Sequence, residues 1–126
     1  MNYQNWTALI VEDEDDSAQV VSQVLEHYGM QIQVARNGAE CLEMLTQFEP
    51  TIVIMDLAMP HLDGWQTLAS MRSSTLTAHI PVIAVTAYHS VEVAEDARRA
   101  GFNAYFAKPI DIERFISQVE QVISGH

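Results

Sequence analysis

Thr51-Ile52-Val53-Ile54-Met55-Asp56 is a run of β-branched and apolar residues that stops on a carboxylate. It is too short to span a membrane, and its composition is that of a strand buried on both faces. Leu57-Ala58-Met59-Pro60 follows, and the proline lacks the N–H that further strand pairing needs. Asp56 therefore falls at the C-terminal end of a central strand, where open α/β sheets place their ligands.

Working outward, Ala8-Leu9-Ile10-Val11 reads as a first buried strand that runs into Glu12-Asp13-Glu14-Asp15-Asp16. Asp15 or Asp16 can cap the next helix, in which Val20, Val21, Val24, Leu25 and Tyr28 recur at helical spacing before Gly29 ends it. Ile32 to Ala35 forms a second strand, and Gly38 to Leu45 a helix with Ala39, Leu42 and Leu45 on one stripe. Beyond the central strand, Asp63-Gly64 opens a helix with Trp65, Leu68 and Met71 facing inward. Pro81 to Val85 is a fourth strand ending at Thr86, and Val91 to Ala100 a helix with a weak apolar stripe, ended by Gly101. Ala104 to Ala107 makes a fifth strand ending at Lys108-Pro109. Asp111 caps a last helix that buries Phe115, Ile116, Val119, Val122 and Ile123. Strands alternating with helices give βα units, a parallel sheet and helices on both faces.

The totals agree. The chain has 126 residues, 48% of them hydrophobic, enough for one domain with a real core. Its formal net charge of −11, from 17 acidic and 6 basic residues, opposes nonspecific binding to nucleic acid or anionic membrane. The single cysteine, Cys41, allows no internal disulfide and sits at an apolar helix position as a buried structural thiol. With no spanning segment and no signal peptide, a soluble cytoplasmic protein is expected.

A parallel sheet delivers every strand's C-terminal end to one edge. Glu12, Asp13, Asp56, Thr86 and Lys108 thus converge there, and Lys108 is the chain's only lysine. Crowded carboxylates repel unless a cation neutralises them, and a hard divalent ion such as Mg²⁺ is the natural choice. A phosphoryl group on Asp56 would require a metal, a cation and a hydroxyl donor, which Glu12 with Asp13, Lys108 and Thr86 provide in turn. The five glycines, at 29, 38, 64, 101 and 125, write neither a P-loop nor a dinucleotide fingerprint. Ala18 stands where an EF-hand would need glycine, and the histidines show no metal-ligand spacing.

Glu12-Asp13, Asp56-Leu57-Ala58-Met59-Pro60 with Asp63-Gly64, Thr86-Ala87 and Lys108-Pro109, in this order on these strand ends, resemble the receiver domain of two-component response regulators. The similarity spans roughly Ala8 to Ile123 and implies a flavodoxin-like fold of strand order 2-1-3-4-5. The resemblance implies that Asp56 accepts a phosphoryl group from a histidine kinase or phosphotransfer protein. It implies that Asp13, Glu12 acting through water, Asp56 and the Ala58 backbone carbonyl bind Mg²⁺. Lys108 would pair with the phosphoryl oxygens, with a cis peptide bond to Pro109. Thr86 would move toward the phosphoryl group and Tyr105 turn inward behind it, changing the face built by the fourth helix, fifth strand and fifth helix. Ala58 and Tyr88 occupy the positions that tune hydrolysis; with no side chain at Ala58 to orient water and Tyr88 able to cover the site, a moderate to long phosphoryl lifetime is expected.

The expectation for residues 1–126 is one stand-alone receiver, with a core from 8 to 123, no output domain attached, and a monomeric or weakly dimeric state. It would not be an enzyme beyond assisting its own phosphorylation and dephosphorylation. Two other readings compete. One is a receiver-like scaffold that is never phosphorylated, which would not need all five site residues. The other is a Mg²⁺-dependent phosphatase with an aspartyl-phosphate intermediate, which needs an aspartate where Ala58 stands.

Overall fold

Valine, isoleucine and leucine dominate the apolar runs, and each run becomes a strand because β-branched side chains pack well on a pleated, doubly covered surface. The computed structural model describes residues 5–57 and 63–125. Their elements are β1 (Thr7–Val11), α1 (Asp15–His27), β2 (Gln31–Ala35), α2 (Gly38–Met44), β3 (Ile52–Asp56), α3 (Gly64–Arg72), β4 (Val82–Thr86), α4 (Val91–Ala100), β5 (Ala104–Ala107) and α5 (Ile112–Ser124). The five strands form one parallel sheet in the order β2-β1-β3-β4-β5. All five residues of β3 and of β4 are buried, as the central position of both strands demands.

Strand alternation splits the core into two layers. Ala8, Ile10, Ile52, Ile54, Ile83, Val85 and Phe106 pack against Val21 and Leu25 of α1 and Phe115, Ile116 and Val119 of α5. Leu9, Val11, Val53, Met55, Val82 and Ala84 pack the other way, against Cys41 of α2, Leu68 and Met71 of α3, and Ala97 of α4. Helix α4 is the least anchored, since Ala97 is its one fully buried residue.

Helix starts are set by side chains that satisfy free N–H groups. Asn37 accepts from Glu40 N, Ser90 from Val93 N and Asp111 from Arg114 N, while Asp63 and Gln66 form a reciprocal capping box at α3. Helix α1 departs from expectation. Its N-cap is Glu14, which makes no side-chain cap bond, and Asp15 and Asp16 lie in the first turn, where they suit the helix dipole instead. Ser17 Oγ donates to the Glu14 carboxylate, which is therefore occupied away from the backbone.

Other apolar positions also differ. Val20 is 56% exposed because Ala18, Val21 and Leu25 define the inward stripe of α1. Ala39 is exposed because α2 turns Gly38 and Cys41 fully inward. Trp65, Val122 and Ile123 pack only partly, at the margins of the two layers. Arg72 ties the far side together: its guanidinium donates to the carbonyls of Ala78, Ile80 and Gly101 and to Asn103 Oδ1.

Candidate functional site

Glu12 follows β1, Asp56 ends β3, Thr86 ends β4 and Lys108 follows β5, so the sheet brings all four to one edge. Gly64 lets α3 begin close against this edge. A Cβ there would stand 2.6 Å from the Asp56 carbonyl oxygen, and the Gly64 N–H reaches the Leu57 carbonyl at 3.3 Å. Glu12, Asp56 and Thr86 are buried, whereas Asp13 is exposed.

The parity of each strand divides these groups. Glu12 continues Ala8 and Ile10, Asp56 continues Ile52 and Ile54, and Lys108 continues Ala104 and Phe106, all in the α1/α5 layer. Thr86 continues Val82 and Ala84, and Tyr105 packs with the α2/α3/α4 layer.

Lys108 Nζ donates to Glu12 Oε1 at 2.7 Å and lies 3.5 Å from Asp56 Oδ2. Glu12 Oε2 accepts from the Glu14 N–H. Burial raises the Glu12 pKa above its ordinary value, and the neighbouring Asp56 raises it further, with Lys108 pulling it back in part. Burial also works against the Lys108 ammonium, but its contacts with Glu12 and Asp56 outweigh that and raise its pKa. This lysine is therefore held as a cation.

One carboxylate oxygen from each of Glu12, Asp13 and Asp56 lies within 4.8 Å of the others. Oxygen donors of this charge and spacing fit a hard divalent cation, which would relieve the repulsion that burial intensifies. The Ala58 carbonyl expected among the ligands lies outside the described residues. Arg36 pairs with Asp15 at 2.6 Å, which leaves the three carboxylates as the cluster at the edge.

On the other layer, Thr86 Oγ1 accepts from the Tyr88 N–H at 3.1 Å. The Tyr88 ring is 76% exposed, in solvent rather than over the carboxylates. The half-buried Tyr105 has its hydroxyl 2.9 Å from His89 Nδ1. Burial raises the Tyr105 pKa, and a hydrogen bond from the Ser90 main chain moderates the effect. His89 reads in the sequence as an ordinary loop residue; nothing in its spacing announces a partner 16 positions away. The Lys108–Pro109 peptide bond is cis.

The family model for the response regulator receiver domain matches residues 8–120. The chain belongs to this family. As a receiver it is similar to the polar-differentiation response regulator DivK of Brucella anthropi, 31% identical over 117 residues that cover 93% of this chain and 95% of that protein. It is 36% identical over 115 residues to the regulatory protein AtoC of Escherichia coli, covering 91% of this receiver and 24% of that longer protein. A putative response regulator from Chloroflexus aurantiacus shares the fold with a TM-score of 0.91 at 28% identity, over 94% of this receiver and 98% of that chain. Receiver domains act in two-component signalling, between histidine kinases or phosphotransfer proteins and downstream targets. Among the described residues, no helix is long and apolar enough to cross a membrane.

Proposed function

We propose that this receiver takes a phosphoryl group from a phosphohistidine of a kinase or phosphotransfer protein onto Asp56, and signals by changing a protein-binding face. The observation that carries this reading is the setting of Asp56: a buried carboxylate at a strand end, between a partly buried lysine and two further carboxylates. An Asp56 oxygen attacks phosphorus while the bond from phosphorus to the histidine nitrogen breaks, and the imidazole leaves. Lys108 turns from Glu12 to the phosphoryl oxygens and stabilises their charge through transfer.

Glu12, Asp13 and Asp56 would hold Mg²⁺, with the Ala58 carbonyl as a further ligand. When bound, the ion neutralises charge on the carboxylates and the phosphoryl oxygens. The donor docks over the open apolar groove formed by Val20, Val24, Pro109, Ile110 and Ile112, about 410 Å³ in volume, because Lys108 lines both groove and site. Thr86 then gives its hydroxyl to a phosphoryl oxygen, Tyr105 turns inward, and the α4–β5–α5 face contacts the target. Loss of the phosphoryl group is slow, since Ala58 offers no side chain to orient water; the exposed Tyr88 adds no shield.

The test is incubation with acetyl phosphate and Mg²⁺, followed by intact mass spectrometry. One added phosphoryl group is expected, absent from Asp56→Ala and from a sample without Mg²⁺. An adduct that persists in Asp56→Ala would overturn the assignment. A phosphoryl half-life of seconds would contradict the slow hydrolysis alone.

A further inference from the structure

Three consecutive loop residues touch three different parts of the response machinery. The Tyr88 N–H is bound to Thr86 Oγ1 at 3.1 Å. His89 Nδ1 is 2.9 Å from the Tyr105 hydroxyl, with the two rings 5.6 Å apart and tilted by 40°. Ser90 caps α4, its side chain accepting from Val93 N at 3.0 Å. Helix α4 is otherwise weakly anchored, with Ala97 its one fully buried residue. The loop thus joins Thr86, Tyr105 and the start of α4 in one short path.

We propose that His89 is a positioning residue that latches Tyr105 in the unphosphorylated arrangement and so sets how readily the receiver switches. This rests on the assignment of Asp56, Thr86 and Tyr105 above. If Thr86 turns its hydroxyl to a phosphoryl oxygen, the Tyr88 N–H loses its acceptor and the loop shifts. Tyr105 follows only by giving up His89. A contact made in one arrangement alone biases the equilibrium toward that arrangement. His89 therefore opposes activation, and its removal favours the switched state.

The magnitude follows from a single exposed hydrogen bond, so removing it tightens binding of an aspartyl-phosphate mimic by about fivefold. The experiment is a titration of the full chain with beryllium fluoride at saturating Mg²⁺, followed by amide and tyrosine-ring NMR. The wild type is compared with His89→Leu, Tyr105→Phe and the double variant. The expected result is about fivefold tighter binding for His89→Leu, and no effect of the same substitution in the Tyr105→Phe background. The Tyr105 ring resonances of unliganded His89→Leu should also move toward their liganded positions. His89→Asn, which keeps a hydrogen-bonding atom near the place of Nδ1, should restore affinity toward the wild type. Unchanged affinity in His89→Leu, or an equal effect in both backgrounds, overturns the latch while leaving the Asp56 assignment standing. A wild type that binds no beryllium fluoride overturns the Asp56 assignment, and the latch with it.

Discussion

Replacing Gly64 by alanine sets two effects of known sign against each other. The new methyl would lie 2.6 Å from the Asp56 carbonyl oxygen and 2.9 Å from Leu57 Cα, both main-chain atoms. Ordinary contact begins near 3.4 Å, so roughly 0.8 Å must open between α3 and the end of β3. The strand cannot yield, because every residue of β3 is buried and the strand is paired with β1 on one side and β4 on the other. The helix must yield instead, and forced overpacking of this kind costs about 1–3 kcal/mol. Against it stands the better helix propensity of alanine, at most about 1 kcal/mol and less at a first helical position. A net loss of about 1–2 kcal/mol follows, or roughly 4–8 °C in Tm for a domain of this size. Urea and thermal unfolding followed by circular dichroism measure it. Gly101→Ala is the control: at φ 108° it strains the backbone, yet its Cβ would meet nothing closer than 3.5 Å. Both variants should lose stability, but only Gly64→Ala should also weaken beryllium fluoride binding, because only there does the displaced helix start adjoin the site edge at the end of β3. A Gly64→Ala protein as stable as the wild type would show that α3 has room to move, and the close-approach argument would fail.

The other perturbations test separate parts of the structure. Glu12 has its pKa raised above 4.5 by burial and by Asp56, so its contribution to stability is fully present below 4.5 and lost as pH rises through the folded value. The stability difference between wild type and Glu12→Gln should therefore shift in favour of the wild type as pH falls through that window; a difference independent of pH would refute the shift. Lys108, also raised, contributes stability present below 10.5 and lost as pH climbs through its folded value, so Lys108→Met should lack this alkaline loss in urea titrations at high pH. Arg72→Met removes four hydrogen bonds, leaving Asn103 Oδ1 its bond from Val82 N but taking the donor from three carbonyls, and should lower stability by about 2–3 kcal/mol with an unchanged denaturant slope; a loss under about 1 kcal/mol would mean that water replaces the guanidinium. The Cys41 thiol, fully buried and pushed up to about 12, should resist Ellman's reagent at pH 8 until the chain is unfolded, and rapid labelling of folded protein would contradict its burial.

The strands were legible because burial on both faces leaves continuous apolar runs that few other structures produce. The site edge was legible for the same reason: once the strands are parallel, Glu12, Asp56, Thr86 and Lys108 have nowhere else to go. Caps at Asp63 and Asp111 could be read from local chemistry alone. The phase of a short helix could not. Ala39 and Val20 lie beside the inward stripe, and rotation by one residue is too small a change for an apolar pattern to resolve. Long-range polar contacts were equally hidden. The convergence of four acceptors on Arg72 depends on how two loops fold back, and the meeting of His89 with Tyr105 depends on a loop shape that no residue spacing encodes.

The alternation of β-strand side chains has a consequence for how such a protein can change over generations. Glu12, Asp56 and Lys108 face one layer, and Thr86 and Tyr105 the other, so the two sets of groups rest on different packing neighbours. A substitution beneath the acidic groups alters α1 or α5 and leaves the bed of Tyr105 untouched; one beneath Tyr105, away from the close contact at Gly64, alters α3 or α4 and leaves the carboxylates where they were. Sites without shared neighbours tend to respond additively. Charge chemistry and surface response can therefore be retuned one at a time, by mutations that need not wait for each other.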